Sequence, residues 1–86
     1  MTKLEELNLS LNKKLSNIDI IEKVNFKELK ELNLSNNKIT NISILEKVKF
    51  EKLEKLNLND NNISNINILE NVNFKELKSL DLYKMI

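Results

Sequence analysis

A repeat of 24 residues runs through this chain and constrains its fold more than any other feature of the sequence. Apolar residues return at this interval at four positions of the repeat: Ile18, Ile42 and Ile66; Val24, Val48 and Val72; Phe26, Phe50 and Phe74; Leu29, Leu53 and Leu77. A fixed period of this length is typical of a solenoid, in which each unit buries its apolar side against the next. The sequence predicts a single domain over 1–86, with full units at 4–28, 29–52 and 53–76 and a partial unit at 77–86. The first unit has one extra residue near Lys13.

Each unit predicts one short strand followed by a return segment. Leu32 and Leu34 are two residues apart, so in an extended chain both point to the same face, while Asn33 points to the other. Equivalent strands that return by a crossover should stack in parallel, about 4.8 Å apart. The return segment has apolar residues every third position, which suits a helical or 3₁₀ conformation, and Phe50 would close the back of its layer. Those apolar positions are Ile39, Ile42, Leu45 and Val48.

An asparagine at the ninth position of each full unit predicts a polar ladder inside the solenoid. The side-chain amide carries both donors and an acceptor, so it could satisfy turn backbone in its own unit and in the next one. Asn12, Asn37 and Asn61 occupy this position.

The pattern Leu29-x-x-Leu32-x-Leu34-x-x-Asn37-x-Ile39 resembles the leucine-rich-repeat signature. Its continuation is similar to the repeats of internalins and of leucine-rich regulatory subunits of protein phosphatase 1, with two additional residues that carry the phenylalanine. The resemblance implies an α/β fold: a right-handed solenoid with one short parallel strand per repeat. It also implies a protein-interaction scaffold, although the matching residues are core positions that name no partner.

A coiled coil is the rival interpretation, because leucines three residues apart occur in stretches rich in Lys and Glu. Two features oppose it. Leu32 and Leu34 cannot share one narrow helical stripe, and the polar run at 57–62 is a poor helix former.

The composition argues against catalysis by this chain. It contains no His and no Cys, which removes the commonest general base, the thiol nucleophile and the soft metal ligands. It contains no Gly, so it has no phosphate-binding glycine loop. We therefore expect a chain that is not an enzyme and that has neither a cofactor nor a metal site.

Charge and hydropathy exclude two further classes of partner. The 14 basic and 13 acidic residues are interspersed, so no basic face for nucleic acid is evident. No apolar stretch is long enough to cross a bilayer, and the first ten residues have no signal-peptide core. These features, with the absence of cysteine, predict a cytoplasmic protein.

The outward strand positions are the candidate partner-binding residues, because solenoids commonly bind proteins on the concave face that carries their strands. We call this surface the strand face. In register, its predicted rows are Glu6, Glu31, Lys55 and Ser79; Asn8, Asn33, Asn57 and Asp81; Ser10, Ser35, Asn59 and Tyr83; and Leu11, Asn36, Asp60 and Lys84. The face is polar, and Tyr83 is its only aromatic anchor.

The terminal units carry no evident polar cap, so an apolar layer and a strand edge would be exposed at each end. We expect that the chain is a fragment of a longer repeat protein and that it binds a protein partner. One alternative is self-assembly through the uncapped ends. The other is a non-catalytic accessory segment of a larger enzyme.

Overall fold

A computed structural model of the chain describes residues 4–11, 18, 21–22, 27–48, 50–70, 72 and 74–84. Among them, four strands form one parallel sheet in the order β1-β2-β3-β4. Their bounds are Glu6–Asn8 for β1, Glu31–Asn33 for β2, Lys55–Asn57 for β3 and Ser79–Asp81 for β4. The register places equivalent repeat positions side by side. The predicted parallel strand in each repeat is therefore confirmed.

Alternation along each strand separates a buried side from an exposed side. Leu32 in β2 and Leu56 in β3 are each 1% exposed, whereas Asn33 and Asn57 beside them are half-buried on the opposite side. Leu34 also lies in the core, although the strand ends one residue earlier. Leucines at both positions thus point inward, as their two-residue spacing predicts.

The return segments contain short 3₁₀ helices at Ser43–Glu46 and Asn67–Glu70. Before each one, an asparagine side chain accepts a hydrogen bond from a backbone N–H two residues later. Asn41 Oδ1 accepts from Ser43 N at 2.8 Å, and Asn65 Oδ1 accepts from Asn67 N at 2.9 Å. The 3₁₀ prediction is confirmed over these four-residue segments.

The core is a stack of apolar layers that is complete in the middle and open at both ends. Leu29 and Leu53 are fully buried, but Leu4 and Leu77 at the equivalent positions are only partly buried. Phe50 is 3% exposed, and its ring centroid lies 6.1 Å from that of Phe74. Phe50 therefore closes the back of its layer as predicted, whereas Phe26 lies outside the described residues.

A left-handed turn follows each strand. Its central residue has a positive φ in all four repeats: 60° at Leu11, 57° at Asn36, 58° at Asp60 and 54° at Lys84. The prediction that these four residues form an outward strand row is therefore wrong. The backbone N–H groups of Leu11, Asn36 and Asp60 still donate to the next repeat, but the positive φ ends the extended conformation, and this turn directs the following part of the chain toward the core.

Candidate interaction surface

The sheet brings two of the predicted rows together on the strand face. The register aligns the outward positions of all four strands. The first row contains Glu6, Glu31, Lys55 and Ser79, and the second contains Asn8, Asn33, Asn57 and Asp81. Strands β2, β3 and β4 form a shallow depression of about 140 Å³ between these two rows. Its lining comprises Glu31, Leu32, Asn33, Lys55, Leu56, Asn57, Ser79 and Asp81.

Three of the four residues in the first row are charged, and the row is exposed or half-buried along its length. Lys55 Nζ lies 3.9 Å from Glu31 Oε1, and both side chains retain substantial solvent contact. An ion pair of this length at the surface contributes little to stability, at most about 1 kcal/mol. Both charges therefore remain accessible to a partner.

The second row is held in one orientation by Asx turns. Each asparagine Oδ1 accepts a hydrogen bond from the backbone N–H two residues later: Asn8 from Ser10 at 2.9 Å, Asn33 from Ser35 at 3.0 Å, and Asn57 from Asn59 at 2.9 Å. This contact is the Asx turn that asparagine commonly adopts. Because the oxygen of each amide is fixed, its Nδ2 donors have a defined direction on the strand face.

The fourth strand departs from this pattern. Asp81 replaces the asparagine, and the backbone N–H of Tyr83 donates instead to Oδ1 of Asn59 in the preceding repeat. The Asp81 carboxylate is exposed and accepts no hydrogen bond from any residue within the described ranges. Among the described residues, the row therefore ends in a negative charge that has no partner.

Ser35 does not belong to the exposed surface, so the prediction that places it among the outward residues of the strand face is wrong. Only 6% of it is exposed. Its hydroxyl donates to Asn33 Oδ1 at 2.6 Å, and the hydroxyl of Ser10 makes the same contact with Asn8. The serine at this position packs beneath the asparagine and fixes it, because the chain has already left the strand and is turning inward.

The other predicted binding residues lie at the end of the strand face, beyond the sheet. Asn59 is half-buried, and its Oδ1 accepts a hydrogen bond from the backbone N–H of Tyr83. Asn36 and Asp60 are exposed at the left-handed turns. Tyr83 is 68% exposed, and Lys84 Nζ lies 5.6 Å from its ring centroid. These residues lie at one edge of the strand face, and the first and second rows form its centre.

The asparagine ladder is present at Asn37 and Asn61, whereas Asn12 lies outside the described residues. Asn61 Nδ2 donates to Leu34 O in the preceding repeat at 2.9 Å and to Leu58 O in its own repeat at 3.0 Å. Asn37 repeats this pattern with Leu9 O and Leu34 O. The prediction that the amide reaches the next repeat is therefore wrong, because it points to the preceding one.

Ion pairs across the repeats were missed by the sequence reasoning. The shortest joins Lys52 Nζ to Glu28 Oε2 at 2.9 Å. The hydrogen bond from Lys52, with the charge of that lysine, lowers the pKa of Glu28, and the same contact raises the pKa of Lys52. Opposite charges at one repeat position, 24 residues apart, are the signal that would have identified this pair.

The described residues contain no cluster of three or more potential metal ligands. Over the same ranges, no helix has the length and apolar character that crossing a membrane requires.

A model of two leucine-rich repeats matches residues 2–47, more than half of the chain, and a second leucine-rich-repeat model matches residues 51–66. The chain belongs to the leucine-rich-repeat family. Comparison with curated proteins and with solved structures finds no match. Leucine-rich-repeat domains are generally protein-interaction modules and are typically non-catalytic. On the strand face, the exposed charges of the first row lie beside asparagines of the second row whose amides are fixed by Asx turns.

Proposed function

We propose that this leucine-rich-repeat chain is a scaffold that binds a protein partner on its strand face. The observation that carries the proposal is the ordered second row, in which Asx turns hold the amides of Asn33 and Asn57 while their Nδ2 donors stay unoccupied by any described residue. Groups that are fixed before binding lose little side-chain entropy when a partner contacts them, which favours affinity.

The charges of the strand face would determine which partners it accepts. Glu31 and Lys55 lie side by side, and the unpaired Asp81 is one strand further on. Charges on an interface select partners mainly by excluding those that place like charge opposite them. The partner of this surface would carry a complementary arrangement of charged and hydrogen-bonding groups.

A charge swap tests this proposal without removing an ion pair. The double variant Glu31→Lys with Lys55→Glu keeps opposite charges next to each other but inverts the pattern that a partner meets. The matched control, Glu28→Lys with Lys52→Glu, performs the same swap on a pair that precedes strands β2 and β3 and lies outside the two rows.

The readout is quantitative capture of proteins from an extract of the source cells on each immobilised variant, measured by mass spectrometry. Proteins that bind the unmodified chain and the control, but are depleted on the strand-face variant, would support the proposal. Equal capture on all three would contradict it. For a supporting protein, amide shifts of Asn33 and Asn57 on titration would map its contact.

A further inference from the structure

The charges of successive repeats alternate along the solenoid. One repeat position reads Glu5, Lys30, Glu54 and Lys78 from the first strand to the last. Lys30 Nζ lies 3.7 Å from Glu5 Oε1, and Lys78 Nζ lies 3.8 Å from Glu54 Oε1. The same inversion occurs at two neighbouring positions, which read Lys27, Glu51 and Lys75, and Glu28, Lys52 and Glu76. At these three positions each repeat therefore faces opposite charge in its neighbour, whereas the first row of the strand face places Glu6 beside Glu31.

The layer at β4 is exposed where the equivalent inner layers are covered. Leu80 is 38% exposed, whereas Leu32 and Leu56 at the same repeat position are 1% exposed. At the other end of the sheet, Leu7 is partly buried. Each end of the sheet thus presents leucines that a further layer would bury.

The backbone groups at the two sheet edges are complementary. In the inner repeats, the carbonyl before each strand accepts two N–H donors from the following repeat, as Lys30 O does from Glu54 N and Lys55 N. The residue after each strand donates forward, as Leu34 N does to Asn57 O. By the same pattern, Lys78 O and the N–H of Leu82 beside β4 have no such partner among the residues that the structure describes.

The edge of β1 has the counterparts of these groups. By the repeat pattern, the N–H groups of Glu5 and Glu6 and the carbonyl of Asn8 point away from β2. The free edge of β1 from another molecule, placed beside β4 in the established register, would therefore supply hydrogen-bond partners for the backbone groups of the β4 edge.

We propose that a second copy of this chain covers β4, head to tail, with its β1 added in parallel to the sheet. The contact pairs Leu80 with Leu7 of the second copy and brings Lys78 opposite Glu5 of the second copy. The repeat position that reads Glu5, Lys30, Glu54 and Lys78 alternates in charge, so a glutamate is expected after Lys78. A second copy supplies it together with the apolar layer and the complementary backbone groups.

This contact is heterologous, because the two copies use different surfaces. A heterologous contact that does not close into a ring produces an open-ended chain of molecules. Ile66 precedes the 3₁₀ helix Asn67–Glu70, is 42% exposed and lies outside this strand-to-strand contact.

Two single charge reversals and their mixture test the proposal. The Lys78→Glu variant has glutamate at both positions 5 and 78, and the Glu5→Lys variant has lysine at both positions. Each variant alone therefore repels itself, and we expect its association constant to fall about tenfold at low salt, measured by sedimentation equilibrium. In an equimolar mixture both heterotypic contacts are attractive, so association should recover to the level of the unmodified chain.

The matched control is Lys52→Glu, which reverses an exposed charge of an ion pair within the stack and away from the strand edges. It should associate like the unmodified chain, with circular dichroism confirming the fold of all variants. A separate variant, Leu80→Lys, tests the apolar layer and should abolish association. A chain that stays monomeric to millimolar concentration would overturn the proposal. So would a mixture that associates no better than its components.

Discussion

Oδ1 of Asn61 accepts a hydrogen bond from the backbone N–H of Ile39, which lies in the preceding repeat, at 3.1 Å. Because Nδ2 of the same amide donates to Leu34 O, one side chain forms hydrogen bonds with two backbone groups of the preceding repeat. Asn37 makes the equivalent donor contacts, but its buried Oδ1 has no hydrogen-bond partner among the described residues. Within the described part of the chain, Asn61 therefore has both donor and acceptor contacts, whereas Asn37 has donor contacts alone.

We expect Asn61→Ala to lower the free energy of unfolding by about 2–3 kcal/mol, because it leaves buried backbone groups of two repeats unpaired. Asn37→Ala should cost less, about 1–2 kcal/mol, because the contacts of Asn37 with the described residues are all donor contacts. Urea denaturation followed by circular dichroism measures both. The exposed neighbour Asn62 supplies the control, since Asn62→Ala should change stability by less than about 0.5 kcal/mol. Equal losses at positions 37 and 61 would show that the Ile39 contact is unimportant.

Leu11 adopts a left-handed conformation that suits its side chain poorly. Its φ is 60°, and the side chain is 70% exposed, so packing does not compensate for the unfavourable backbone. The left-handed region costs a residue with a β-carbon roughly 1–2 kcal/mol, and asparagine tolerates it better. Leu11→Asn should therefore stabilise the chain by about 0.5–1 kcal/mol.

The control for this prediction is Asn36, which occupies the same turn in the next repeat with a φ of 57°. The reverse change, Asn36→Leu, should destabilise the chain by a similar amount. A midpoint of thermal unfolding that does not rise in Leu11→Asn would contradict the assignment of strain to this turn.

Leu56 and Leu80 occupy one repeat position but differ in burial, at 1% and 38% exposed. Leu56→Ala should cost about 2–4 kcal/mol, because it opens a cavity between two covered layers. Leu80→Ala should cost less than half as much in dilute solution, because solvent already reaches that side chain. Guanidinium denaturation of the two variants at micromolar concentration makes the comparison. Equal losses would mean that the β4 layer is covered.

The Glu28–Lys52 pair gives a prediction for pH dependence. The hydrogen bond and the charge of Lys52 lower the pKa of Glu28 in the folded chain. The pair therefore favours the folded state at pH values above the ordinary glutamate pKa, and this contribution is lost as pH falls through the lowered value. For Lys52 the sign is opposite: its pKa is raised, so its contribution is present below the ordinary lysine pKa and is lost as pH rises through the raised value.

A carboxyl-detected NMR titration checks this pair directly. Glu28 should titrate below its ordinary range in the unmodified chain, and Lys52→Met should return its pKa toward that range. Because both side chains are exposed, 0.5 M salt should reduce the difference. A Glu28 pKa that is unchanged by Lys52→Met would contradict the pairing.

Several features of the strand face were readable from the sequence, and others were not. The positions of Asn33 and Asn57 in the outward row follow from alternation along a strand. That their oxygens are occupied by Asx turns depends on the backbone leaving the strand immediately afterwards, and Ser35 is buried for the same reason. A pattern of alternating residues predicts a face but not the residue at which the strand ends.

The 24-residue period by itself determined the fold class, the parallel register, the inward leucines and the positions of Asn37 and Asn61, because identical units can bury their apolar sides only by stacking in register. The tertiary structure alone decided which of these equivalent residues are covered and which neighbour each contacts. Leu56 and Leu80 are the same residue at the same position, yet only Leu56 has a repeat on both sides. Asn61 likewise reaches backward because the carbonyl of Leu34 and the N–H of Ile39 lie in the preceding layer. Burial and hydrogen bonding are properties of adjacent layers, and the order of those layers exists only once the chain has folded.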